Sequence, residues 1–168
     1  MEVRPAVPDD APAVQRIARA AWHETYASIL SRERIDDVVD DWYDRGDLRE
    51  QVSSDGPFVV AVDGEEVAGF AQAVPERDDV AAELTRIYAD PDHWGSGVGT
   101  RLLEAVVNSL GESDVERLWA VVAADNEVGR AFYDRRGFEV RTRRETELSD
   151  AEFEVVEVVL ELSNWSST

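Results

Sequence analysis

Apolar residues recur along the chain with two periods, and the changes of period divide it into elements. Val14, Ile17, Ala18, Ala21 and Trp22 follow the spacing of one helix face, opening near Ala11-Pro12 and running to about Ala27. Asp9 or Asp10 stands where a cap would be. Ile35, Val38, Val39 and Trp42 repeat the pattern over about 31–45, with the acids outward. Residues 46–56 are polar and read as a loop with, at most, a short helical turn. Residues 58–62, the pair Asp63-Gly64 and residues 67–74 read as a hairpin, because Asp-Gly tolerates positive φ. Residues 2–6 make a short edge strand, and 83–89 continue an antiparallel meander beyond an acidic connector at 75–81.

The second half follows the same logic. Val98, Leu102, Leu103, Val106, Val107 and Leu110 fall at helical spacing over 97–110. Residues 118–122 are a continuous apolar run, read as a strand buried on both faces. Asn126 opens a further helix carrying Val128, Ala131, Phe132 and Tyr133, which Gly137 ends as a left-handed C-cap. Two strands follow, at 138–144 and 152–162, and then a polar tail at 163–168. The order predicts an α+β (loosely α/β) fold: a mixed sheet of about six to seven strands with about four helices. At 168 residues the whole chain, 1–168, is expected to be one domain with no separate linker.

Composition narrows the function. The chain holds 37 acidic residues against 17 basic ones, all of them arginine, for a net charge of −20. Nucleic acid is excluded as a partner, since its binding requires cations to neutralise phosphates. There is no cysteine, and His23 and His93 are the only imidazoles, so disulfides and thiol nucleophiles are excluded and no metal site is expected. No apolar run approaches the ~20 residues of a membrane span, and the first residues lack a signal-peptide pattern. A cytoplasmic location and no membrane partner are therefore expected. So acidic a surface repels itself unless salt screens it, and the composition resembles that of cytoplasmic proteins from halophilic, salt-accumulating microbes.

Candidate chemistry centres on the turn from Asp90 to Thr100, where a strand meets a helix through Gly95, Gly97 and Gly99. The first amides of a helix lack intrahelical partners and sit at its positive end, and glycines let an anion approach them. A Walker loop is excluded, because it needs a lysine and the chain has none. A dinucleotide fingerprint needs a third glycine where Thr100 or Leu102 stands, and it needs a βαβ order rather than a meander.

Two blocks, separated by a strand, carry a resemblance. Trp94-Gly95-Ser96-Gly97-Val98-Gly99 is similar to the Gln/Arg-x-x-Gly-x-Gly/Ala motif of the GNAT superfamily of N-acetyltransferases, with Trp94 where Gln or Arg is commoner. Residues 126–138, Asn-Glu-Val-Gly-Arg-Ala-Phe-Tyr-Asp-Arg-Arg-Gly-Phe, resemble that family's second block, N-x-x-x-x-x-F-Y-x-x-x-G-F. The resemblance implies that strands 83–89 and 117–122 start side by side and then splay. It places the pantetheine arm of acetyl-CoA along Ile87, Tyr88 and Ala89. It places the pyrophosphate at Trp94 and on the amides of Gly95, Ser96, Gly97, Val98, Gly99 and Thr100, in a cradle made by backbone.

The same resemblance suggests chemical roles. An aliphatic amine titrates near ~10 and must lose a proton before it attacks. A glutamate before the glycine turn often takes that proton, and Glu83 matches its place; the alternative is a solvent-facing acid at a strand end. Tyr133 matches the family's proton donor to the departing thiolate, the alternative being an aromatic packed beside Phe132. Asn126 matches a contact to the pantetheine arm, or else is a plain N-cap. Trp22 and Tyr26, with His23 and Thr25, form a candidate acceptor-binding cluster; each read singly is core or surface. The implied activity is direct transfer of acetyl from acetyl-CoA to a small-molecule or protein amine. The rival is a non-catalytic acyl-CoA-binding sensor. Homodimers are common among the proteins it resembles, and nothing in the sequence fixes one here.

Overall fold

A computed structural model of the chain describes residues 1–53, 56–76, 80–148 and 151–165. Part of the acidic connector, 77–79, and the end of the polar tail, 166–168, lie outside the described residues. The strands are β1 (Glu2–Pro5), β2 (Phe58–Asp63), β3 (Glu66–Pro75), β4 (Ala81–Ala89), β5 (Arg117–Ala123), β6 (Glu139–Leu148) and β7 (Ala151–Glu161). The helices are α1 (Ala11–Tyr26), α2 (Arg32–Trp42), α3 (Arg45–Gln51), α4 (Val98–Leu110) and α5 (Glu127–Arg135). The seven strands form one mixed sheet in the order β1-β2-β3-β4-β5-β7-β6. Every neighbouring pair is antiparallel except β4 with β5.

Each face of the sheet has its own apolar layer. Leu102, Leu103, Val106 and Leu110 of α4 pack on Leu118, Ala120 and Leu160, while α1, α2 and α3 bury Ile17, Ile35 and Leu48 against Phe58, Val60 and Phe70. The periodic positions of α4 are all buried, as its sequence requires. Ser31 caps α2 by accepting the Arg34 amide at 3.2 Å. Gly137, at φ +90°, ends α5 with its amide on the Asp134 carbonyl, 3.2 Å away.

Four expectations are corrected. Five α-helices are present among the described residues rather than about four, because 45–51 fold as α3. That helix carries one buried anchor, Leu48, and so shows no apolar period to read. Trp42 is 46% exposed rather than inward, touching Trp22 edge-on at 5.7 Å. Strand β5 alternates instead of being buried on both faces: Leu118, Ala120 and Val122 are buried, whereas Arg117, Trp119 and Val121 are not. Asp10 precedes α1 as expected, yet its carboxylate caps no helix amide. It accepts the Val7 amide at 2.8 Å and both Nη atoms of Arg4 at 2.8 and 3.0 Å. Among the described residues no helix is long and apolar enough to cross a membrane.

Candidate active site

The site begins where β4 and β5 part. Their parallel register covers Ala81↔Arg117, Ala82↔Leu118 and Glu83↔Trp119 and then stops, while β4 runs on to Ala89 paired only with β3, and β5 runs on paired only with β7. The two strands therefore diverge from Glu83 onward, leaving the β4 backbone between Leu84 and Ala89 without a strand partner on that side.

A register shift between Gln72 and Ala73 sets which β4 side chains face where. Thr85 is the extra residue, and its Oγ donates to the Gln72 carbonyl at 3.2 Å. Ala82 and Leu84 belong to the layer under α4; past the bulge Ile87 and Ala89 pack there too, whereas Tyr88 joins the layer under α1. Glu83 and Tyr88 thus share the α1 side.

A cleft of about 500 Å³ occupies the gap, reaching from α4 and α5 on one side to Ala21 and Thr25 of α1 on the other. Ile87, Tyr88 and Ala89 line it from β4; Trp94, Gly95, Gly97, Val98, Gly99 and Thr100 from the turn and first helical residues; and Phe132, Tyr133 and Arg136 from α5 and its end. Gly95 and Gly97 lie at φ +85° and +82°, conformations that glycine adopts freely, and a Cβ at either would meet nothing within 4 Å. The start of α4 is thus an open cradle whose first amides point outward. The Trp94 indole donates to the Ala89 carbonyl at 3.0 Å, tying the turn to the end of β4. No group of His, Cys, Asp or Glu among the described residues is arranged to hold a metal ion.

Tyr133 is buried, edge-on to Phe132 and Phe138 at 5.4 and 5.0 Å, and burial, with the nearby Tyr26 phenol, raises its pKa far above the usual phenol range. It stays protonated at any working pH, as a proton donor must. Burial likewise raises Tyr88, on which the other three tyrosines of the chain, Tyr26, Tyr43 and Tyr133, also act. Burial first, and then the charges of Glu76 and Glu157, raises the Glu83 carboxyl above the ordinary glutamate range, with Arg144 opposing.

Some expected residues lie elsewhere. Glu83 does not line the cleft; it stands at the point of divergence, on the α1 side of the sheet. Ser96 and Asn126 are also outside the lining. Asn126 caps α5, accepting the Gly129 amide at 2.9 Å. Trp22 is 3% exposed, stacked on Tyr26 at 4.3 Å, and is core rather than an acceptor contact. Tyr26 is half-buried and meets Phe153 at 6.4 Å; it stands behind Tyr88, to which it is hydrogen-bonded, without lining the cleft, whereas Thr25 lines it. The sequence reading missed the group beside Glu83: the Trp119 indole donates to Glu76 at 2.6 Å, Arg141 lies over the Trp119 ring at 5.4 Å, and Glu157 pairs with Arg141 and Arg144 at 3.5 and 3.7 Å. Alternation along β5 and β7 is the signal that brings Trp119 and Glu157 to the Glu83 side.

A parallel pair that opens after three residues, backed by a glycine-started helix, defines a fold built to take a ligand between two strands. The model of the acetyltransferase (GNAT) family matches residues 13–138, and the chain belongs to that family. Acetyl-CoA-dependent N-acetyltransferase activity comes with it. The chain is 28% identical over 145 residues to the spermidine N(1)-acetyltransferase of Thermoplasma acidophilum, covering 83% of this chain and 89% of that one. A 63-residue stretch, 38% of this chain and 43% of the relative, is 38% identical to the [ribosomal protein bS18]-alanine N-acetyltransferase of Escherichia coli. Among solved structures, the PaiA N-acetyltransferase from Thermoplasma acidophilum in complex with coenzyme A superposes with a TM-score of 0.79 at 25% identity, covering 93% of this chain and 96% of that one. The open cradle at Gly95 and Gly97 and the unpaired stretch of β4 suit a diphosphate and an amide-bearing arm, so the residues present fit coenzyme A.

Proposed function

We propose that the chain, as one catalytic domain over 1–168, acetylates a small cationic amine by direct attack in a ternary complex. The divergence of β4 and β5 after Glu83↔Trp119 carries this reading, since it opens a passage from the start of α4 to the α1 side, where the carboxylate stands. Acetyl-CoA, when bound, supplies the acetyl group as a thioester. Gly95 to Thr100 hold the diphosphate by backbone, and the open edge of β4 at Ile87 and Ala89 holds the arm. Glu83, raised toward neutral pH, takes the proton from the incoming ammonium, and Tyr133 gives a proton to the departing sulfur.

The acceptor enters on the α1 side, where Glu76, Glu83 and Glu157 set a negative potential beside the Trp119 indole. A polyamine such as the substrate of the Thermoplasma acidophilum relative suits that chemistry better than a protein N-terminus. The match to the ribosomal-protein enzyme spans 38% of the chain, against 83% for the spermidine enzyme. Thiol release from acetyl-CoA with spermidine, 1,3-diaminopropane and an alanine-initiated peptide tests this: release with the first two and not with the peptide supports it, and the reverse order refutes it. The charge of −20 supports work in a salt-rich cytoplasm, where a Debye length of about 3 Å at 1 M screens the surface. A thermal midpoint that does not rise between 0.1 M and 2 M KCl would contradict this.

A further inference from the structure

Arg136 is a cation without a carboxylate in a chain rich in them. Arg4, Arg16, Arg19, Arg141, Arg143 and Arg144 each pair with an Asp or Glu. Among the described residues no acid pairs with Arg136. Its Nη1 donates to the Phe132 carbonyl at 2.8 Å, its Nη2 to the Thr100 hydroxyl, and its Nε is buried with no partner. The guanidinium plane rests on the Phe132 ring, 3.9 Å from the centroid, and burial, then the neighbouring Arg135 cation, lowers its pKa.

These contacts hold the guanidinium rigidly against the first turn of α4. Thr100 is the third residue of that helix, among those whose amides lack intrahelical partners. Gly99, one residue earlier, approaches Phe132 so closely that a Cβ there would lie 2.8 Å from the ring edge. The arginine therefore sits on an aromatic floor beside the cradle, and it lines the same cleft. Of its five donors two are used, so one proton remains on each Nη in addition to Nε. Partly desolvating a cation without an anion is unfavourable. The cost is recovered if an anion arrives at the cradle.

We propose that Arg136 binds the pyrophosphate of coenzyme A, reaching across from the end of α5 to complete the backbone cradle of α4. The proposal rests on the acetyl-CoA reading above. Neither sequence block assigns a side chain to this task, since the first leaves the diphosphate to backbone amides and the second assigns nothing to it. Stacking and the two tethers pre-organise the fork, so little side-chain freedom is lost on binding.

Binding of coenzyme A, 3′-dephospho-coenzyme A and pantetheine to wild type, Arg136→Gln, Arg136→Lys and Thr100→Val is the test, by calorimetry for the first two and ligand-observed NMR for pantetheine. Arg136→Gln should weaken both pyrophosphate-bearing ligands about tenfold, the scale of a charge-assisted hydrogen bond, and leave pantetheine unchanged. Arg136→Lys should recover part of that loss, and Thr100→Val, which frees the guanidinium without removing it, should cost about threefold on the same two ligands. An equal loss on all three ligands would make Arg136 a brace between helices and overturn the proposal. So would no loss on any, or a loss confined to coenzyme A, which would place Arg136 on the 3′-phosphate. Failure of the wild type to bind coenzyme A would overturn the acetyl-CoA reading itself, and this proposal with it.

Discussion

Glu83 and Tyr88 stand five residues apart on β4 and yet project from the same face of the sheet. In a regular strand an odd separation puts two side chains on opposite faces; the extra residue at Thr85 reverses the alternation between them. The bulge thereby leaves the Glu83 carboxylate at the point of divergence and sends Ile87 and Ala89 into the layer under α4, where they line the cleft.

Replacing Glu83 by Gln removes the group proposed to take the ammonium proton. Turnover should fall by about 10²-fold, the low end for a general base, and the acidic limb of the pH–rate profile should disappear. In the wild type that limb should lie above the ordinary glutamate range, because burial and then Glu76 and Glu157 disfavour the charged form. Glu76→Gln takes away one of those charges, stabilises ionised Glu83 and should move the limb to lower pH without abolishing it. A limb that stays in place in Glu76→Gln contradicts the assignment.

Tyr133→Phe keeps the ring and its contacts with Phe132 and Phe138 but deletes the donor. The expected result is a fall in kcat of about 10²-fold or more, with the Kd of coenzyme A changed by less than about threefold. A loss in affinity with unchanged kcat would make the phenol a packing residue.

How far the sequence speaks is visible in these residues. Helix α4 was legible in its apolar period and glycine start, and the hairpin of β2 and β3 in its Asp-Gly turn, because both are local. The position of Tyr133 followed from motif spacing. The Thr85 bulge was not legible, because it exists only in the pairing of β3 with β4. Trp119 of β5, Glu157 of β7 and Glu76, just past the end of β3, come together through register, which no single stretch encodes. Trp22 misled, since an aromatic on an apolar stripe reads alike whether it faces core or ligand.

Gly69→Ala should loosen the contact between α4 and the sheet. A Cβ there would lie 2.7 Å from Val98 Cγ1 and 2.9 Å from the Tyr88 carbonyl, a backbone atom that has nowhere to move. Overpacking of this kind costs about 2 kcal/mol, and because Val98 opens α4 the affinity for coenzyme A should fall together with the chemical-denaturation midpoint. An unchanged midpoint would show that the sheet yields at no cost.

Asp10→Ala tests the one buried acid of the N-terminal region. Burial raises its carboxyl, but hydrogen bonds from Arg4 and the Val7 amide, and the charge of Arg4, outweigh burial and bring it below the ordinary range. A depressed carboxyl stabilises the fold above the pKa of the unfolded chain, and the contribution is lost as pH falls through the folded value. Substitution should cost about 2 kcal/mol at pH 7, allowing for the partial exposure of Arg4. The gap between wild type and variant should shrink as pH falls below about 4, where an ordinary Asp protonates. A gap independent of pH would point to packing rather than to the ion pair.

Acetyl transfer itself is tested most directly by following thiol release from acetyl-CoA and acetylated product together, in molar salt, with spermidine as acceptor. Equimolar thiol and N-acetylspermidine from the wild type, both lowered about 10²-fold in Tyr133→Phe, is the predicted result. Tight binding of coenzyme A with no thiol release for spermidine or any other amine would contradict it and leave an acyl-CoA-binding module that does not turn over.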